Sequence, residues 1–371
     1  MFYFFLGNTP DLSLLELRKV YPGEFTFVTK DIASYDAELD LNSLPHLGGT
    51  MKVAQSLEVV SPKKVISTLV ELISADSQKN IALTDYASLD LGRAVFHELK
   101  DKVERSIRFV SMETGPHELV MLSHQHVLEL NLIPSGSLLE GKSQNIIIAK
   151  TVWIYDAEDW VSRDRSKPYR DIKRGMLPPK LARIITNLAT GGKSGLTLAD
   201  PFCGTGTVLM EAMMVGCNVL GGDTNPEAIT GAKSNLEWIL STPGLAPRTY
   251  ALKLGDATHF DEFFPSCDCI ATEPYMGPLL DERNPSSLDK IKNIAKGLDK
   301  LYRGAFKSFY KSLPVGGRVV MTIPSFRVYG KEISTISIDT LVTLGYNYIS
   351  SVPYSKPGAA VIRNITILEK K

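Results

Sequence analysis

Asp200-Pro201-Phe202-Cys203-Gly204-Thr205-Gly206-Thr207 is the stretch on which the fold of this chain turns. Leu196–Ala199 ahead of it suits a short buried strand and Thr207–Val215 behind it suits a helix, so both glycines fall in a strand-to-helix turn. Gly204 and Gly206 let the backbone approach a ligand with no Cβ in the way, and the unpaired N–H groups of the next helix face the same place. A dinucleotide fingerprint needs a third glycine where this sequence has Leu209, and a P-loop needs a Gly-Lys-Ser/Thr that is missing. What the turn does carry is an acid, Asp200, ahead of the glycines. A carboxylate there repels a pyrophosphate and suits a ligand with a positive centre and no phosphate.

Outward from the turn, strand and helix alternate: strands at Asn218–Gly222, Ala251–Leu254, Asp268–Ala271 and Arg318–Ile323, helices at Glu227–Leu240 and about Ile291–Leu313, then two late strands at Tyr346–Val352 and Val361–Leu368. That alternation predicts a doubly wound sheet with its ligand at the carboxyl ends of the strands. The second strand ends in Asp223-Thr224, about 20 residues after the turn, where an acid accepts hydrogen bonds from ribose hydroxyls. The third ends in Gly255-Asp256-Ala257, where an acid can take the amino group of adenine. Each aspartate could instead simply cap the helix or turn that follows it. Three of them at successive strand ends after a Gly-x-Gly turn favour a ligand, and S-adenosylmethionine has the sulfonium and lacks the phosphate.

The fourth strand runs into Thr272-Glu273-Pro274-Tyr275-Met276-Gly277. An exocyclic amine on a base is a poor nucleophile, and acceptors that hold its N–H bonds free its lone pair as the nitrogen turns tetrahedral. Glu273 fits that role, Tyr275 can stack on an extruded base, and Pro274 stiffens the loop. The plain alternative is a rigid turn.

The first 150 residues read differently. Strands at Phe2–Leu6, Glu24–Thr29 and Lys52–Val60 with a short helix from Pro10 suggest a small unit over 1–60. Helices at Lys63–Ile73 and Leu91–Val103 and strands at Asn80–Thr84, Ile107–Met112, Val120–Leu122 and Val127–Leu132 suggest an α+β domain over 61–150. No catalytic constellation stands out there. Residues 151–180 read as a polar, charged connector, and 181–371 as the doubly wound domain.

Lys+Arg and Asp+Glu are both 41, so the formal charge is zero, which argues against a non-specific nucleic-acid binder. Cys203, Cys217, Cys267 and Cys269 make no Cys-x-x-Cys pair and read as small buried residues in a reducing compartment, with no metal site. The apolar start MFYFFL lacks a positive flank and a cleavage site, and no segment has the length and apolarity of a membrane span, so a cytoplasmic protein is expected.

These motifs carry a resemblance. Asp200–Thr207 resembles motif I of class I S-adenosylmethionine-dependent methyltransferases, and Thr272–Gly277 resembles the (Asp/Asn)-Pro-Pro-(Tyr/Phe) motif of amino-methyltransferases. Arg170 to Arg183, with its run Met176-Leu177-Pro178-Pro179-Lys180-Leu181-Ala182, resembles the segment ahead of motif I in tRNA guanosine N2-methyltransferases acting at position 10, and Val361–Lys370 resembles their closing strand. The resemblance implies a Rossmann-like domain with a mixed seven-stranded sheet, preceded by ferredoxin-like and THUMP-like α+β units that grip tRNA. It assigns Thr272, Glu273, Pro274 and Tyr275 to catalysis. It assigns Met176, Pro178, Asp200, Phe202, Gly204, Gly206, Thr207, Asp223, Thr224, Asp256 and Ala257 to the cofactor. Where the family has Asp-Pro-Pro-Tyr this chain has Glu273-Pro274-Tyr275 after Thr272: either Thr272 replaces the aspartate and Glu273 the first proline, or one residue is missing and Glu273 does the work of the aspartate, the reading preferred because it keeps a carboxylate.

Arg163, Arg165, Lys167, Arg170, Lys173 and Arg174 crowd the connector and are candidates for RNA phosphate contact, against the plainer reading of a solvated helix entry. Eukaryotic relatives use a small activator subunit, for which this sequence carries no signal, and a monomer or homodimer is expected. Rivals are a DNA or RNA adenine or cytosine amino-methyltransferase, which shares both motifs, and a non-catalytic relative that binds S-adenosylmethionine and RNA.

Overall fold

The computed structural model describes residues 1–89, 91–111, 119–124, 126–135, 145–171, 176–278, 287–356 and 358–371. They form two compact units, one of Met1–Arg18 and Pro22–Trp160, the other of Lys19–Tyr21 and Val161–Lys371.

The first unit is one eight-stranded mixed sheet. Its strands are β1 (Phe2–Leu6), β2 (Phe25–Phe27), β3 (Ile32–Tyr35), β4 (Thr50–Val60), β5 (Asn80–Asp85), β6 (Arg108–Phe109), β7 (Val127–Pro134) and β8 (Ile146–Ile154), in the order β2-β3-β1-β4-β8-β7-β5-β6. Its helices are α1 (Pro10–Val20), α2 (Val65–Ala75), α3 (Arg93–Lys102), α4 (Leu119–His124) and, at its end, α5 (Ala157–Val161). Val65, Leu69 and Ile73 of α2 and Phe96 and Leu99 of α3 pack on Ile81, Leu83, Leu128 and Leu130 of the sheet.

Three expectations change here. Residues 1–60 and 61–150 are not separate sheets, because β4 pairs with β8 along most of its length. Residues 151–154 are not connector, since they finish β8, a central strand whose run Ile146–Ala149 is wholly buried. Val120–Leu122 is helical, a short apolar run that periodicity cannot assign.

The second unit opens with α6 (Pro179–Thr190) and continues β9 (Thr197–Asp200), α7 (Thr207–Met214), β10 (Asn218–Asp223), α8 (Pro226–Leu240), β11 (Tyr250–Leu254), α9 (Phe260–Phe263), β12 (Cys269–Thr272), α10 (Leu288–Ser312), β13 (Arg318–Val328), β14 (Lys331–Ser334), α11 (Ile338–Thr343), β15 (Tyr346–Tyr354) and β16 (Val361–Lys370). The sheet order is β11-β10-β9-β12-β13-β16-β15, with β14 added to β13 as a hairpin. β9 to β13 are mutually parallel and β16 runs against β13. This is the doubly wound sheet that the alternation predicts, with the mixed, seven-stranded path that the resemblance implies. The chain winds outward from β9 to β11 and then returns to β12 on the other side of β9. The crevice between β9 and β12 is therefore the topological switch point, the place where such sheets bind ligands.

Helix α10 buries Ile291, Ala295, Leu298, Tyr302, Phe306 and Phe309 against Val319 and Met321 of β13, with Phe260 and Phe264 from the segment after β11. All four cysteines are buried, and burial pushes the thiols of Cys217 and Cys267 up to about 11 and about 12, so they behave as small apolar residues. No helix among the described residues is long and apolar enough to cross a membrane.

Candidate active site

Parallel pairing in the order β11-β10-β9-β12 sets four acids along one rim. Asp256 follows β11, Asp223 ends β10, Asp200 ends β9, and Glu273 follows β12. Neighbouring strands lie about 4.8 Å apart, so the row is about 14 Å from end to end. An elongated nucleoside laid along it would meet the acids in the order expected for adenine, ribose and amino-acid end, with Glu273 beyond.

The capping reading of the aspartates is correct as far as it goes. Asp256 accepts the Thr258 N–H at 2.8 Å. Asp223 accepts the N–H of Gly204 at 2.9 Å and that of Asn225 at 2.9 Å, and so ties the end of β10 to the glycine turn. A carboxylate oxygen has two lone pairs, so each of these groups keeps acceptor capacity. Asp256 is exposed and Asp223 half-buried, with Thr224 exposed beside it and Ala257 buried behind. Gly204 sits at φ +50° and a Cβ built there would meet no atom within 4 Å, so the space in front of the turn is open. Gly206, at φ +79°, instead abuts Ala232 of α8, where a Cβ would stand 3.2 Å from the alanine Cβ. The first glycine clears a ligand space and the second lets two helices meet.

Asp200 differs from its neighbours. It is only 2% exposed. It accepts the Thr272 hydroxyl at 2.6 Å and the Phe202 N–H at 3.1 Å. Burial, with the charges of Asp223 and Glu273 nearby, pushes its carboxyl up to about 7, although the two hydrogen bonds favour the ionised form. Thr272 is fully buried and points to Asp200. Its place in a catalytic set is therefore corrected: it bridges β9 and β12 across the switch point and leaves Glu273 as the first side chain free of the strand.

Glu273 accepts the Nε–H of Arg363, on β16, at 2.7 Å. Pro274 is buried, while Tyr275 is 58% exposed. The Tyr275 carbonyl accepts the hydroxyl of Tyr302, on α10, at 2.7 Å. Gly277 takes φ +92° close to Ile294 of the same helix. The loop after β12 is thus held from below by α10 and from the side by β16, with the tyrosine ring left outside.

The basic connector does something other than expected. Arg163 is 2% exposed and Lys167 3% exposed. Arg163 donates to Glu211 of α7 at 2.7 Å, and Arg183 of α6 meets the other oxygen of Glu211 at 2.6 Å. Lys167 donates to the hydroxyl of Thr207 at 2.9 Å, and burial lowers its pKa. Neither can reach RNA. Their charge is spent on the helix that follows the glycine turn, because a buried Glu211 needs cationic partners. Tyr169 completes this brace. Its ring lies over Gly231, where a Cβ would be 2.0 Å from the ring, and its backbone N–H and C=O exchange 2.9 Å hydrogen bonds with the Asn235 amide, which also donates to the Thr205 carbonyl. Arg165 and Arg170 are exposed and keep the RNA role open. Lys173 and Arg174 lie outside the described residues. Met176, half-buried, and Pro178, exposed, lead into α6. The far end of that helix, Gly191, lies beside Arg318 at the start of β13, so α6 runs against the strands and begins at the acidic rim.

Residues 167–335 match the UPF0020 family, an RMKL-like methyltransferase domain. The match begins at Lys167 and so takes in Lys167, Tyr169, Glu211 and Asn235 of the brace as well as the rim, while Arg163 precedes it. The chain is 30% identical over 197 residues to a tRNA (guanine(10)-N2)-dimethyltransferase of Pyrococcus abyssi, covering 53% of this chain and 50% of that one. It is 32% identical over 171 residues to an enzyme of the same name from Methanothermobacter thermautotrophicus, covering 45% of each. The chain thus spans about half the length of the curated relatives it matches. A solved structure of the N-methyltransferase NodS from Bradyrhizobium japonicum, with S-adenosyl-L-homocysteine, aligns over 57% of this chain and 97% of its own at a TM-score of 0.38 and 14% identity.

Four residues of the second unit escape sequence reading: Glu211, Asn235, Tyr302 and Arg363. Glu211 alone left a signal, a charge inside the otherwise apolar run Val208–Met214.

Proposed function

We propose that this chain transfers a methyl group from S-adenosylmethionine to the exocyclic N2 of a guanosine in tRNA, with position 10 favoured. The observation that carries the proposal is the row of acids on four adjacent strand tips, ending at a carboxylate beside an exposed tyrosine. The residues fit the cofactor: open space before Gly204, acceptors at Asp223 and Asp256, and negative charge without a phosphate-binding arrangement. S-adenosylmethionine, when bound, supplies an activated methyl on a cationic sulfur.

The chain's own residues do the rest. Asp256 and Asp223 have acceptor capacity for adenine and ribose. Asp200, ionised in part near neutrality, contributes negative charge at the amino-acid end. Glu273, with one oxygen on Arg363, offers its second oxygen to an N–H of the base amine. Among the described residues the Pro274 carbonyl has no hydrogen-bond partner, and it can take the other N–H. With both hydrogens held by these acceptors, the nitrogen lone pair would be free to form the bond to carbon as the carbon–sulfur bond breaks and the neutral thioether leaves, and the proton that nitrogen then loses would pass to the free oxygen of Glu273 and on to solvent. Tyr275 supplies a ring for the extruded base. Positioning and electrostatics do the work, with no covalent enzyme intermediate. The names of the relatives support guanine N2 and tRNA, and the cytoplasm is the proposed place of work.

The test is methyl transfer from S-adenosylmethionine to unmodified tRNA transcripts and to duplex DNA side by side, with mass spectrometry of the product nucleosides. N2-methylguanosine in the tRNA arm is the expected product. Methylated adenine or cytosine in either arm would replace the proposed substrate, and cofactor binding without transfer to any tRNA would replace the proposed activity.

A further inference from the structure

β13 outruns its neighbour on the rim. Its first four residues, Arg318–Met321, pair with β12, and the strand then continues to Val328, flanked by β16 and by β14. Because β13 is parallel to β12 and β9, the excess length projects beyond the edge that carries Asp200 and Glu273. Tyr329 and Gly330 make the turn back into β14, at φ +48° and φ +73°.

This turn has an unexpected residue. Two-residue hairpin turns with positive φ favour Asn-Gly or Asp-Gly, since a larger side chain meets its own backbone there. Here the first position is a tyrosine, 70% exposed. With most of the residue in solvent, little packing repays the strain. Arg327 and Lys331 flank it and are both exposed, and neither side chain has a hydrogen bond or ion pair among the described residues. Glu332, opposite Arg327 in the hairpin, is turned to the Ser325 hydroxyl at 2.6 Å and does not neutralise the arginine.

We infer that the β13–β14 hairpin is an RNA-gripping element of the methyltransferase unit, with Tyr329 stacking on a base and Arg327 and Lys331 taking phosphates on either side. Pro324 of β13 pairs with Arg363, the partner of Glu273. Tyr329 lies five steps further along the chain, about 16 Å at about 3.3 Å per residue. The hairpin therefore reaches nucleotides near the target base and not the target itself. An exposed aromatic between two free cations is the combination that binds single-stranded or looped RNA. In a chain of zero net charge, basic character has to be local to be useful. The inference rests on the proposed tRNA substrate.

Tyr329→Asn separates grip from fold, because asparagine tolerates positive φ. The variant is expected to keep or raise Tm, keep its affinity for S-adenosylmethionine, and raise the KM for a tRNA transcript about five- to tenfold with kcat unchanged, within the stacking range for one base. Arg327→Gln with Lys331→Gln is expected to flatten the salt dependence of tRNA binding by about 0.7–0.9 per lost phosphate contact. An unchanged tRNA KM in the first variant together with an unchanged salt slope in the second would overturn the hairpin's role. If the wild-type chain itself fails to bind or methylate the transcript, the proposed function falls first and this inference with it. The wild-type arm thus tells the two failures apart.

Discussion

Both sheets bury charge, and they do so to opposite ends. In the first unit, Lys52 of β4 donates to Glu129 and Asn131 of β7, Glu129 also accepts from Thr84 and Thr151, and the ammonium lies over the rings of Phe5 and Tyr86. Every charge in that cluster is answered from within the sheet. On the rim of the second unit, Asp200, Asp223, Asp256 and Glu273 each spend only part of their capacity and stand in order along one edge. A closed polar cluster fixes a fold, whereas a row of half-satisfied acceptors is prepared for something that arrives later. The comparison teaches where substitution should cost stability and where it should cost function.

The largest effect belongs to the closed cluster. Lys52→Met leaves Glu129 buried without its cation and is expected to cost about 3–5 kcal/mol of stability in urea unfolding. Adding Glu129→Leu should recover much of that loss, and affinity for S-adenosylmethionine in the folded protein should not move. A variant that keeps its stability would show that the cluster is not closed.

On the rim the same kind of change should act on rate. Glu273→Ala is expected to lower kcat by about 10²–10³, or about 3–4 kcal/mol of barrier, in keeping with loss of one charge-positioned acceptor. Its Tm should stay close to wild type, because the ion pair it breaks is part-exposed. A large Tm loss with unaltered turnover would make Glu273 a structural residue.

Asp200 stands between the two regimes, buried like the first cluster and placed like the second. Its folded pKa, about 7, lies above the ordinary value of 3.8. The sign follows: its stabilising contribution is full below about pH 4 and fades as pH rises through about 7, when a buried carboxylate must ionise. A cationic ligand favours the ionised form, so affinity for S-adenosylmethionine should rise up to about tenfold between about pH 6 and pH 8. The neutral-sulfur product S-adenosylhomocysteine should show less of this rise, and Asp200→Asn should flatten it. Calorimetric titration at several pH values measures each curve. A smaller effect is expected at Arg363: Arg363→Met should lower kcat about tenfold, worth about 1.4 kcal/mol, and Arg363→Lys should restore part of it.

How much of this was legible in the sequence follows the reach of each contact. The strand ends at Asp200, Asp223 and Asp256 could be read because each is local, a short apolar run stopping at an acid. The brace could not, because Arg163 meets Glu211 across 48 residues and Tyr169 meets Asn235 across 66. Exposure was assumed for Arg163 and Lys167 from their charge, and only the fold reveals Glu211 and Thr207 as their destinations. The pair of Glu273 and Arg363 spans 90 residues and depends on β16 inserting beside β13. In the first unit, β8 is a central strand whose buried run does not alternate, so it carried no period for sequence reading to find.

The most direct test is calorimetric titration of the intact chain with S-adenosylmethionine, wild type beside Asp256→Ala. Asp256 is exposed, so its loss should leave the fold intact while removing an adenine contact from the far end of the row. One binding site in the wild type, with affinity lowered about tenfold or more in the variant at equal Tm, is the predicted result. No heat from the wild type, or equal affinity in both proteins, would contradict the claim that the cofactor lies along these strand tips.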